Sequence, residues 1–317
     1  MQILVTGGAG FIGSSLVDFL LLKDYSIICL DNFDDYYSSE LKWNNLKQAI
    51  SNSNFKLIEG DIRNEKLLNE IFSQNKIELV VHLAAKVGVH HSINNPSEYL
   101  DVNVNGTECL LNAMRINKCK NLIFSSSSSV YGDRIGAFSE SDPTEIQISP
   151  YALSKKKCEV LINDFAKKIG MNSVILRFFS VYGERQRPDL VIHKIFNAIR
   201  NNQAVEIFGD GSNSRDYTNI KDVVFGIYSS ILFSLNSNCI NETFNIGNSQ
   251  PLTMKKLLSL IMKLTKVELK VDYLPFREGD VKSTCADITK ARRILNYSPN
   301  IKTKEGLKKY YNNSKYH

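Results

Sequence analysis

The 317-residue sequence lacks the features that mark several classes of protein. No apolar run in it approaches the ~18 residues that a membrane-spanning helix needs. No two cysteines form a C-x-x-C pair, which removes the usual spacing of metal ligands and redox thiols. A strand predicted at 3–5 leaves no room for a signal peptide, so we expect a soluble cytoplasmic protein without disulfides, metal ion or membrane contact. The six cysteines are scattered, at Cys29, Cys109, Cys119, Cys158, Cys239 and Cys285.

A large excess of charge of one sign is also missing. The formal net charge is +6, and the basic residues are spread along the chain. No basic stripe is interleaved with aromatic residues, so we expect no nucleic-acid partner. A charge this small suits an anionic substrate and a lysine-rich surface equally, so it decides nothing by itself.

Short apolar runs alternate with helical patterns, which is typical of βαβ units in a parallel sheet. We therefore predict an α/β fold, a Rossmann-type doubly wound parallel sheet with a smaller α/β substrate-binding domain. The larger domain would comprise 1–179 and about 219–246, and the smaller one about 180–218 and 247–317. Strands are predicted at 3–5, 27–30, 55–58, 79–83, 122–124, 173–177, 205–208, 242–246 and 269–273, and helices at 12–22, 65–72, 99–116, 151–168, 188–200, 222–235, 252–265 and 304–311.

A glycine turn joins the first predicted strand to the first helix. Gly7, Gly10 and Gly13 hold the glycine positions of G-x-x-G-x-x-G in the segment TGGAGFIG. Glycine there allows a tight turn and lets backbone N–H groups approach a pyrophosphate at the helix N-terminus. Asp31 ends the next strand, where a carboxylate binds both ribose hydroxyls and repels a 2′-phosphate. The pattern predicts a bound dinucleotide, NAD rather than NADP.

Tyr151 and Lys155 are four residues apart in a predicted helix and therefore share one face. An unperturbed phenol has a pKa of about 10 and is a poor base at neutral pH. The Lys155 ammonium and an oxidised nicotinamide would lower that pKa, so that a phenolate could take a proton from a sugar hydroxyl while hydride leaves. A serine tract, 125–129, follows the strand 122–124 and places its hydroxyls at the same carboxyl edge of the sheet.

These motifs resemble the extended short-chain dehydrogenases/reductases and, within that group, the nucleotide-sugar 4-epimerases. The resemblance implies that Ser127, four residues before the tyrosine of V-Y-G, is the catalytic hydroxyl beside Tyr151 and Lys155. It also implies a homodimer in which the helices 99–116 and 151–168 pair across the interface. The matching segments cover nearly the whole chain: TGGAGFIG, Asp31-Asn32, Gly60-Asp61, His82-Leu83-Ala84-Ala85, SSSSSVYG, Tyr151 with Lys155, RFFSVYG and Arg215-Asp216-Tyr217.

The resemblance further implies which residues contact the cofactor and the sugar nucleotide. Asp61 and Ile62 would contact adenine, and Phe178 would shield the nicotinamide. The implied NAD contacts are Gly7, Gly10, Phe11, Ile12, Gly13, Asp31, Asn32, Asp61, Ile62, Leu83, Ala84, Ala85, Lys86, Asn103, Ser125, Tyr151, Lys155 and Phe178. The implied substrate contacts are Lys86, Ser126, Ser127, Ser128, Tyr151, Phe179, Ser180, Arg185, Val191, Arg215 and Arg277, with both Arg215 and Arg277 on the diphosphate.

The residues after Ser127 indicate the type of reaction. A 4,6-dehydratase of this family carries Asp-Glu there, whereas this chain has Ser128-Ser129 and so lacks the acid and base of the elimination. The expected cycle therefore removes hydride from C4, rotates the 4-keto sugar and returns hydride to its opposite face. NAD would be regenerated in each turnover.

Two features resemble the UDP-glucuronate 4-epimerases in particular: DNFDDYY at 31–37, and SSSSVYG paired with RFFSVYG. Several hydroxyls facing C6 suit a carboxylate, and Arg185 is a further candidate for its contact. UDP-glucuronate, converted to UDP-galacturonate, is the expected substrate. UDP-glucose, UDP-N-acetylglucosamine or its uronate stay open as substrates, as do a UDP-glucuronate decarboxylase and a non-catalytic protein that binds NAD or a sugar nucleotide.

Overall fold

The computed structural model describes residues 1–277 and 279–313. The strands are β1 (Gln2–Thr6), β2 (Ser26–Asp31), β3 (Phe55–Glu59), β4 (Ile77–His82), β5 (Asn121–Ser127), β6 (Asn172–Phe178), β7 (Ser180–Tyr182), β8 (Val205–Phe208), β9 (Ser214–Arg215), β10 (Tyr217–Asn219), β11 (Asn241–Ile246), β12 (Leu252–Thr253) and β13 (Val271–Leu274). The helices are α1 (Phe11–Leu21), α2 (Ser39–Ile50), α3 (Glu65–Gln74), α4 (Val89–Asn94), α5 (Pro96–Tyr99), α6 (Gly106–Ile116), α7 (Pro150–Ile169), α8 (Val191–Arg200), α9 (Ile220–Leu235), α10 (Met254–Thr265), α11 (Thr289–Leu295) and α12 (Thr303–Asn313). A π-helical segment, Leu100–Asn105, joins α5 to α6, and a 3-10 turn, Ser128–Tyr131, follows β5.

A seven-stranded parallel sheet forms the centre of this part of the chain, in the order β11-β6-β5-β4-β1-β2-β3. From β1 the chain adds β2 and β3 on one side. It then returns to place β4 on the other side of β1, followed outward by β5, β6 and β11. Open sheets of this kind bind ligands beyond the carboxyl ends of their strands, at the point where the order reverses. That point lies between β1 and β4, and the predicted Rossmann-type fold is confirmed. Within the described residues, none of the helices is both long and apolar enough to cross a membrane.

Alternating side chains of the strands supply apolar surface to both faces of the sheet. On β1, Ile3 and Val5 belong to the cluster that includes α1 and α9, whereas Leu4 belongs to the cluster of α3, α6 and α7. All three side chains are buried. Truncating such a side chain to alanine is expected to cost about 2–5 kcal/mol. The carboxyl edge of the sheet is therefore held by packed layers on both sides.

The smaller part of the molecule has an apolar cluster of its own. Faces of α8, α10 and α12 meet there with β8, through side chains such as Ile195 and Leu307. Short strand pairs, β8 with β13, β9 with β12 and β7 with β10, complete it. Residues 286–297, which we expected in this smaller domain, pack instead against the large sheet through Ile288 and Tyr297. The division of the chain into two domains stays a prediction.

Three predicted helices differ from the observed ones. The helix expected at 99–116 is divided by the π-helical segment, whose Asn103 bonds to the backbone of Lys86. The helix expected at 188–200 begins at Val191, because Leu190 has an extended backbone. The helix expected at 252–265 begins at Met254, since the two residues before it form β12. The helix α2 was not predicted, because few of its residues are buried and its apolar stripe is faint.

Candidate active site

A cleft of about 660 Å³ opens at the carboxyl edge of the large sheet, between that sheet and the smaller part of the molecule. Its lining comes from both parts of the structure. All but two of the predicted contact residues line it; Asn103 and Arg185 do not. Those that do are Gly7, Gly10, Phe11, Ile12, Gly13, Asp31, Asn32, Asp61, Ile62, Leu83, Ala84, Ala85, Lys86, Ser125, Ser126, Ser127, Ser128, Tyr151, Lys155, Phe178, Phe179, Ser180, Val191, Arg215 and Arg277.

The glycine turn forms one wall of the cleft and requires glycine for steric reasons. Gly7 has a left-handed backbone (φ +70°), and a Cβ there would lie 2.6 Å from the amide nitrogen of Ala84. A Cβ on Gly13 would clash with the carbonyl oxygen of Gly7. The helix α1 starts at Phe11 with neither a side-chain cap nor an acidic residue in its first turn. Its first N–H groups are therefore available to an anion such as a pyrophosphate.

Asp31 lies at the end of β2, on the lining of the cleft. One carboxylate oxygen accepts the backbone N–H of Ala9 and the other that of Phe33, both at 2.9 Å. Burial raises the pKa of this carboxyl, and the two backbone hydrogen bonds oppose the rise. Each oxygen has a further lone pair for a ribose hydroxyl. This geometry fits the predicted ribose contact of NAD.

Tyr151 and Lys155 lie on the first two turns of α7, which Ser149 caps by accepting the N–H of Ala152 at 3.2 Å. The Nζ of Lys155 donates to the carbonyl oxygen of Ser125 at 2.7 Å. Because that carbonyl belongs to β5, the strand and the helix hold the ammonium group at the edge of the sheet. The catalytic pair predicted from the sequence is thereby placed within the cleft.

Burial shifts the pKa values of both groups. It raises the pKa of Tyr151, and the hydroxyl of Ser127 and the positive charge of Arg187 act against the rise. Burial lowers the pKa of Lys155 to about 8, while the neighbouring Cys158 and Glu159 act in the other direction. The phenol is thus protonated at neutral pH in the protein alone. A further positive charge would be needed to ionise it.

The serine tract turns its hydroxyls in different directions. Ser127 contacts Tyr151 and also donates to the hydroxyl of Ser129 at 3.0 Å. Ser126, the next residue toward the N-terminus, lies on the other face of β5 and donates to Glu159 at 2.6 Å. The hydroxyl of Ser126 is therefore bonded to Glu159, while the residue also lines the cleft, and its predicted contact with the substrate stays a prediction.

The segment 183–189 places a different arginine in the cleft from the one predicted. Arg185 has a left-handed backbone (φ +64°), and its guanidinium bonds to Asp18 on α1 at 2.6 Å, outside the lining. Arg187 lines the cleft instead and forms two hydrogen bonds of 2.9 Å with Asp189. Its charge is close enough to act on the pKa of Tyr151. The predicted anion contact of Arg185 is corrected accordingly.

The predicted cofactor contact Asn103 has a supporting position. Its side-chain oxygen accepts the N–H of Lys86 at 2.7 Å, and its nitrogen donates to the Lys86 carbonyl and to Ser154. Lys86 in turn forms ion pairs of 2.9 Å with Asp34 and 2.8 Å with Glu98. Asn103 thus fixes the backbone of the loop after β4, which borders the cleft.

Tyr36, Tyr37 and Lys42 are among the cleft residues that the sequence-based prediction did not name as contacts. The Lys42 ammonium lies over the ring of Tyr37 at 4.7 Å and donates to the carbonyl of Asp34. The hydroxyl of Tyr36 donates to Asp189 at 3.4 Å, which connects this segment to Arg187. In the sequence, the adjacent tyrosines of DNFDDYY, Tyr36 and Tyr37, were the feature that could have indicated these contacts.

Two further cations face the cleft from the smaller part of the molecule. Arg215 lies at the end of β9, and Arg277 stacks its guanidinium on the ring of Phe208. The N-terminus of α8, at Val191, is close to them on the same lining and has no side-chain cap. The arrangement suits a doubly charged diphosphate, as predicted for Arg215 and Arg277.

Comparisons with known proteins match this chain over almost its full length. The family model described as GDP-mannose 4,6 dehydratase matches residues 4–310. The UDP-glucuronate 4-epimerase of Thermodesulfobacterium geofontis is 38% identical, covering 98% of this chain and 95% of that protein. Protein CapI of Staphylococcus aureus is 33% identical, covering 98% and 97%.

Two crystal structures show the same likeness in three dimensions. The UDP-glucuronic acid 4-epimerase of Bacillus cereus, in complex with UDP-glucuronic acid and NAD, has a TM-score of 0.94 and 36% identity, covering 100% of this chain and 99% of that one. The UDP-glucose 4-epimerase of Thermotoga maritima, with UDP-glucose, has a TM-score of 0.89 and 34% identity at the same coverage. The chain therefore belongs to the extended short-chain dehydrogenase/reductase family of nucleotide-sugar 4-epimerases and 4,6-dehydratases.

Proposed function

We propose that this protein is an NAD-dependent 4-epimerase that interconverts UDP-glucuronate and UDP-galacturonate. One observation carries the proposal: Tyr151 lines the cleft one helical turn from Lys155, with Ser127 and the cationic Arg187 close enough to act on its pKa. The relatives that act on UDP-glucuronate support the choice of substrate.

The residues of the cleft fit NAD. The glycine turn and the uncapped start of α1 suit its pyrophosphate, and the Asp31 carboxylate suits the adenosine ribose. Asp61 and Ile62 line the same end of the cleft as Asp31, where adenine would lie. When bound, NAD supplies a hydride acceptor and donor for C4 of the sugar.

Tyr151 would act as base and then as acid. Its phenolate takes the proton of the sugar 4-hydroxyl as the C4 hydrogen leaves with its electron pair, and the sugar becomes a 4-ketone. Ser127 hydrogen-bonds to the phenol and keeps it directed at the 4-oxygen. After the 4-keto sugar has rotated in the cleft, hydride returns to the opposite face of C4 and Tyr151 gives its proton back. No net oxidation takes place. Lys155 supports the phenolate by its positive charge.

The serine tract favours epimerisation over dehydration. Ser128 and Ser129 stand where a dehydratase of this family carries its acid and base, and the Ser129 hydroxyl accepts from Ser127. Neither hydroxyl is a general base for elimination at C5. The matching family model carries the name of a dehydratase, so this difference is the one that separates the two reactions here.

The position of Arg187 favours an acidic sugar as the substrate. A guanidinium next to Tyr151 is within reach of the far side of the hexose, where the C6 carboxylate would lie. A 4-keto uronate is a β-keto acid and loses carbon dioxide readily, so the enzyme must hold the carboxylate in a plane that prevents this. Arg187 and Ser180, which both line the cleft, are the residues that we propose for this role.

UDP-glucose is a second candidate substrate. The observation in its favour is that Arg187 is already paired with Asp189. A neutral pair of this kind could also accept the hydroxymethyl group of a neutral hexose. The crystal structure of the Thermotoga maritima enzyme contains UDP-glucose.

A homodimer is part of the proposal. Leu153 and Val160 are seven residues apart on α7 and are 38% and 47% exposed, so two apolar side chains share one exposed face of this helix. The helix α7 packs beside α6, which would be the second helix of each subunit in the interface. Light scattering of the purified protein should give twice the chain mass, and Leu153→Glu with Val160→Glu should give the monomer. A cytoplasmic location also stays a prediction.

The proposal is tested by incubating the purified protein with UDP-glucuronate, UDP-glucose and UDP-N-acetylglucosamine without added NAD, and following each by NMR. We expect galacturonate signals to grow from UDP-glucuronate while absorbance at 340 nm stays flat. Tyr151→Phe serves as the control. Accumulating NADH would indicate a dehydrogenase, and release of carbon dioxide a decarboxylase. A wild type as inactive as Tyr151→Phe would leave only a binding protein.

A further inference from the structure

A buried carboxylate that the proposed mechanism does not use lies directly beneath the serine tract. Glu159 is 2% exposed and lies on α7, one helical turn after Lys155. Burying a carboxylate is costly unless it is paired and fully hydrogen-bonded. Even a paired one is often no more stabilising than an apolar side chain of the same size. A role in stability is therefore an insufficient reason for a carboxylate at this position.

The contacts of Glu159 reach two strands of the sheet. Its Oε1 accepts from the hydroxyl of Ser126 at 2.6 Å and from Nε of Arg177 at 2.9 Å. Its Oε2 accepts from Nη2 of Arg177 at 2.8 Å. Ser126 belongs to β5 and Arg177 to β6, so the carboxylate links α7 to both strands. Both side chains of the ion pair are almost completely buried.

The network continues from Arg177 through Tyr131 of the 3-10 turn to the strand β11. The guanidinium lies 4.8 Å from the centre of the Tyr131 ring, and the Tyr131 hydroxyl donates to Asn245 at 2.7 Å. Asn245 belongs to β11. Through Arg177, the carboxylate is therefore also connected to β11, the edge strand of the sheet.

Ser126 stands between the two tract residues that touch the catalytic pair. The Ser125 carbonyl accepts from Lys155, and the Ser127 hydroxyl contacts Tyr151. Fixing the side chain of Ser126 fixes the backbone on either side of it. A small displacement of Ser126 would change both contacts together.

Glu159 also acts on Lys155 through its charge. Burial lowers the pKa of Lys155, and the negative charge of Glu159 opposes this shift. The other groups that face the ammonium are Cys158 on the same helix, and the Phe124 ring and the neutral, buried His82 from the sheet. Glu159 is therefore the carboxylate that helps to keep Lys155 protonated.

We propose that Glu159, held by Arg177, is a positioning residue for the epimerisation: it fixes the serine tract through Ser126 and maintains the charge of Lys155. The inference rests on the proposed function of Tyr151 and Lys155. It concerns how their geometry and charge are maintained.

The test compares full-length wild type with Glu159→Gln in the epimerisation assay. Glutamine keeps the size and one acceptor oxygen but removes the charge. We expect kcat to fall about tenfold, a fraction of what acid–base catalysis supplies, with KM changed less than about threefold. Removing the negative charge lowers the pKa of Lys155 further, so the alkaline limb of kcat against pH should move to lower pH.

Matched variants separate the two parts of the proposal. Ser126→Ala removes the hydrogen bond alone and should lower kcat without moving the alkaline limb. Glu159→Asp restores the charge and should return the limb toward its wild-type position. Glu242→Gln removes a carboxylate from an ion pair with Lys290 that lies away from the cleft, and should leave kcat and its pH profile unchanged. If Glu159→Gln does not fold, the neutral pair Glu159→Gln with Arg177→Met replaces it, with a smaller limb shift in the same direction expected because the more distant positive charge of Arg177 is removed as well.

The inference is overturned if folded Glu159→Gln keeps the wild-type kcat and alkaline limb. It is also overturned if kcat falls only in proportion to the folded fraction while the limb stays in place, because a purely structural role would give that result. A wild type that converts no UDP-sugar would instead refute the proposed function, and this inference with it.

Discussion

In the proposed function, NAD and the UDP-sugar would occupy two parts of the cleft, called here the cofactor half and the sugar half, whose linings differ in kind. The cofactor half consists of backbone: a glycine turn, the first turn of α1 and strand ends with one buried carboxylate, Asp31. The sugar half consists of long side chains from several connecting segments, above all Arg187, Arg215 and Arg277. A backbone site leaves little freedom in what it binds, whereas a side-chain site can change substrate by changing a few residues. This difference explains how one fold can keep NAD and still accept different UDP-sugars.

The largest effect is expected from Tyr151→Phe. Tyr151 is the residue at which the two halves meet. Removing the hydroxyl removes the acid and base, so kcat should fall by about 10²–10⁴-fold. The cofactor half should be untouched, and the variant should retain as much NAD as the wild type. Single-turnover kinetics with quantification of bound NAD would check both statements. Loss of NAD together with activity would show that the two halves are not separable.

Gly13→Ala should disable the cofactor half. A Cβ there collides with the Gly7 carbonyl, and overpacking of this kind typically lowers the free energy of unfolding by about 1–3 kcal/mol. We expect purified protein with little or no NAD and a lower melting temperature. Gly136→Ala separates backbone strain from the loss of NAD: its φ of +97° strains any Cβ, but no atom lies within 4 Å and the residue is outside the cleft, so the NAD content should stay normal even where the melting temperature falls. Normal NAD content in Gly13→Ala would contradict the steric argument.

Arg187→Met should affect the sugar half alone. Charge-assisted hydrogen bonds are worth about 1.5–3 kcal/mol, so kcat/KM for UDP-glucuronate should fall about 10- to 100-fold more than that for UDP-glucose. Arg185→Met is the control, since Arg185 bonds to Asp18 outside the cleft. Equal losses on the two sugars would show that Arg187 acts through Tyr151 and not on the carboxylate.

The smallest effect concerns pH. The pKa of Lys155 is lowered to about 8, so its positive charge is present below that pH and is lost as the pH rises through it. Activity that needs the charge should fall on the alkaline side near pH 8. Lys155→Arg keeps a cation at all these pH values, so its remaining activity should show no such fall. A wild-type profile that is flat to pH 10 would contradict this role of Lys155.

The cofactor half could be predicted from the sequence because its geometry follows from local rules. Strand alternation, glycine spacing and the Tyr151–Lys155 interval each act over a few residues, and each was found where expected. The sugar half could not be predicted as well. The left-handed backbone at Arg185 turns that side chain toward α1 and leaves the cleft to Arg187. No pattern in the sequence indicates that conformation.

Two other features depend on long-range contacts. The hydroxyl of Ser126, predicted as a substrate contact, donates to Glu159, which lies 33 residues further along the chain. The helix expected at 99–116 changes to a π-helical turn where Asn103 bonds across to Lys86. In each case a side chain from a distant part of the chain decides the outcome, and periodicity within one segment does not contain that information.

The central claim is that hydride leaves C4 and returns to C4 within one cleft. The direct measurement is to supply UDP-glucuronate deuterated at C4, with no added NAD, and to locate the deuterium in the product by NMR and mass spectrometry. We predict UDP-galacturonate that keeps the deuterium at C4. Product with hydrogen from solvent at C4, or deuterium accumulating in free NADH, would contradict the account.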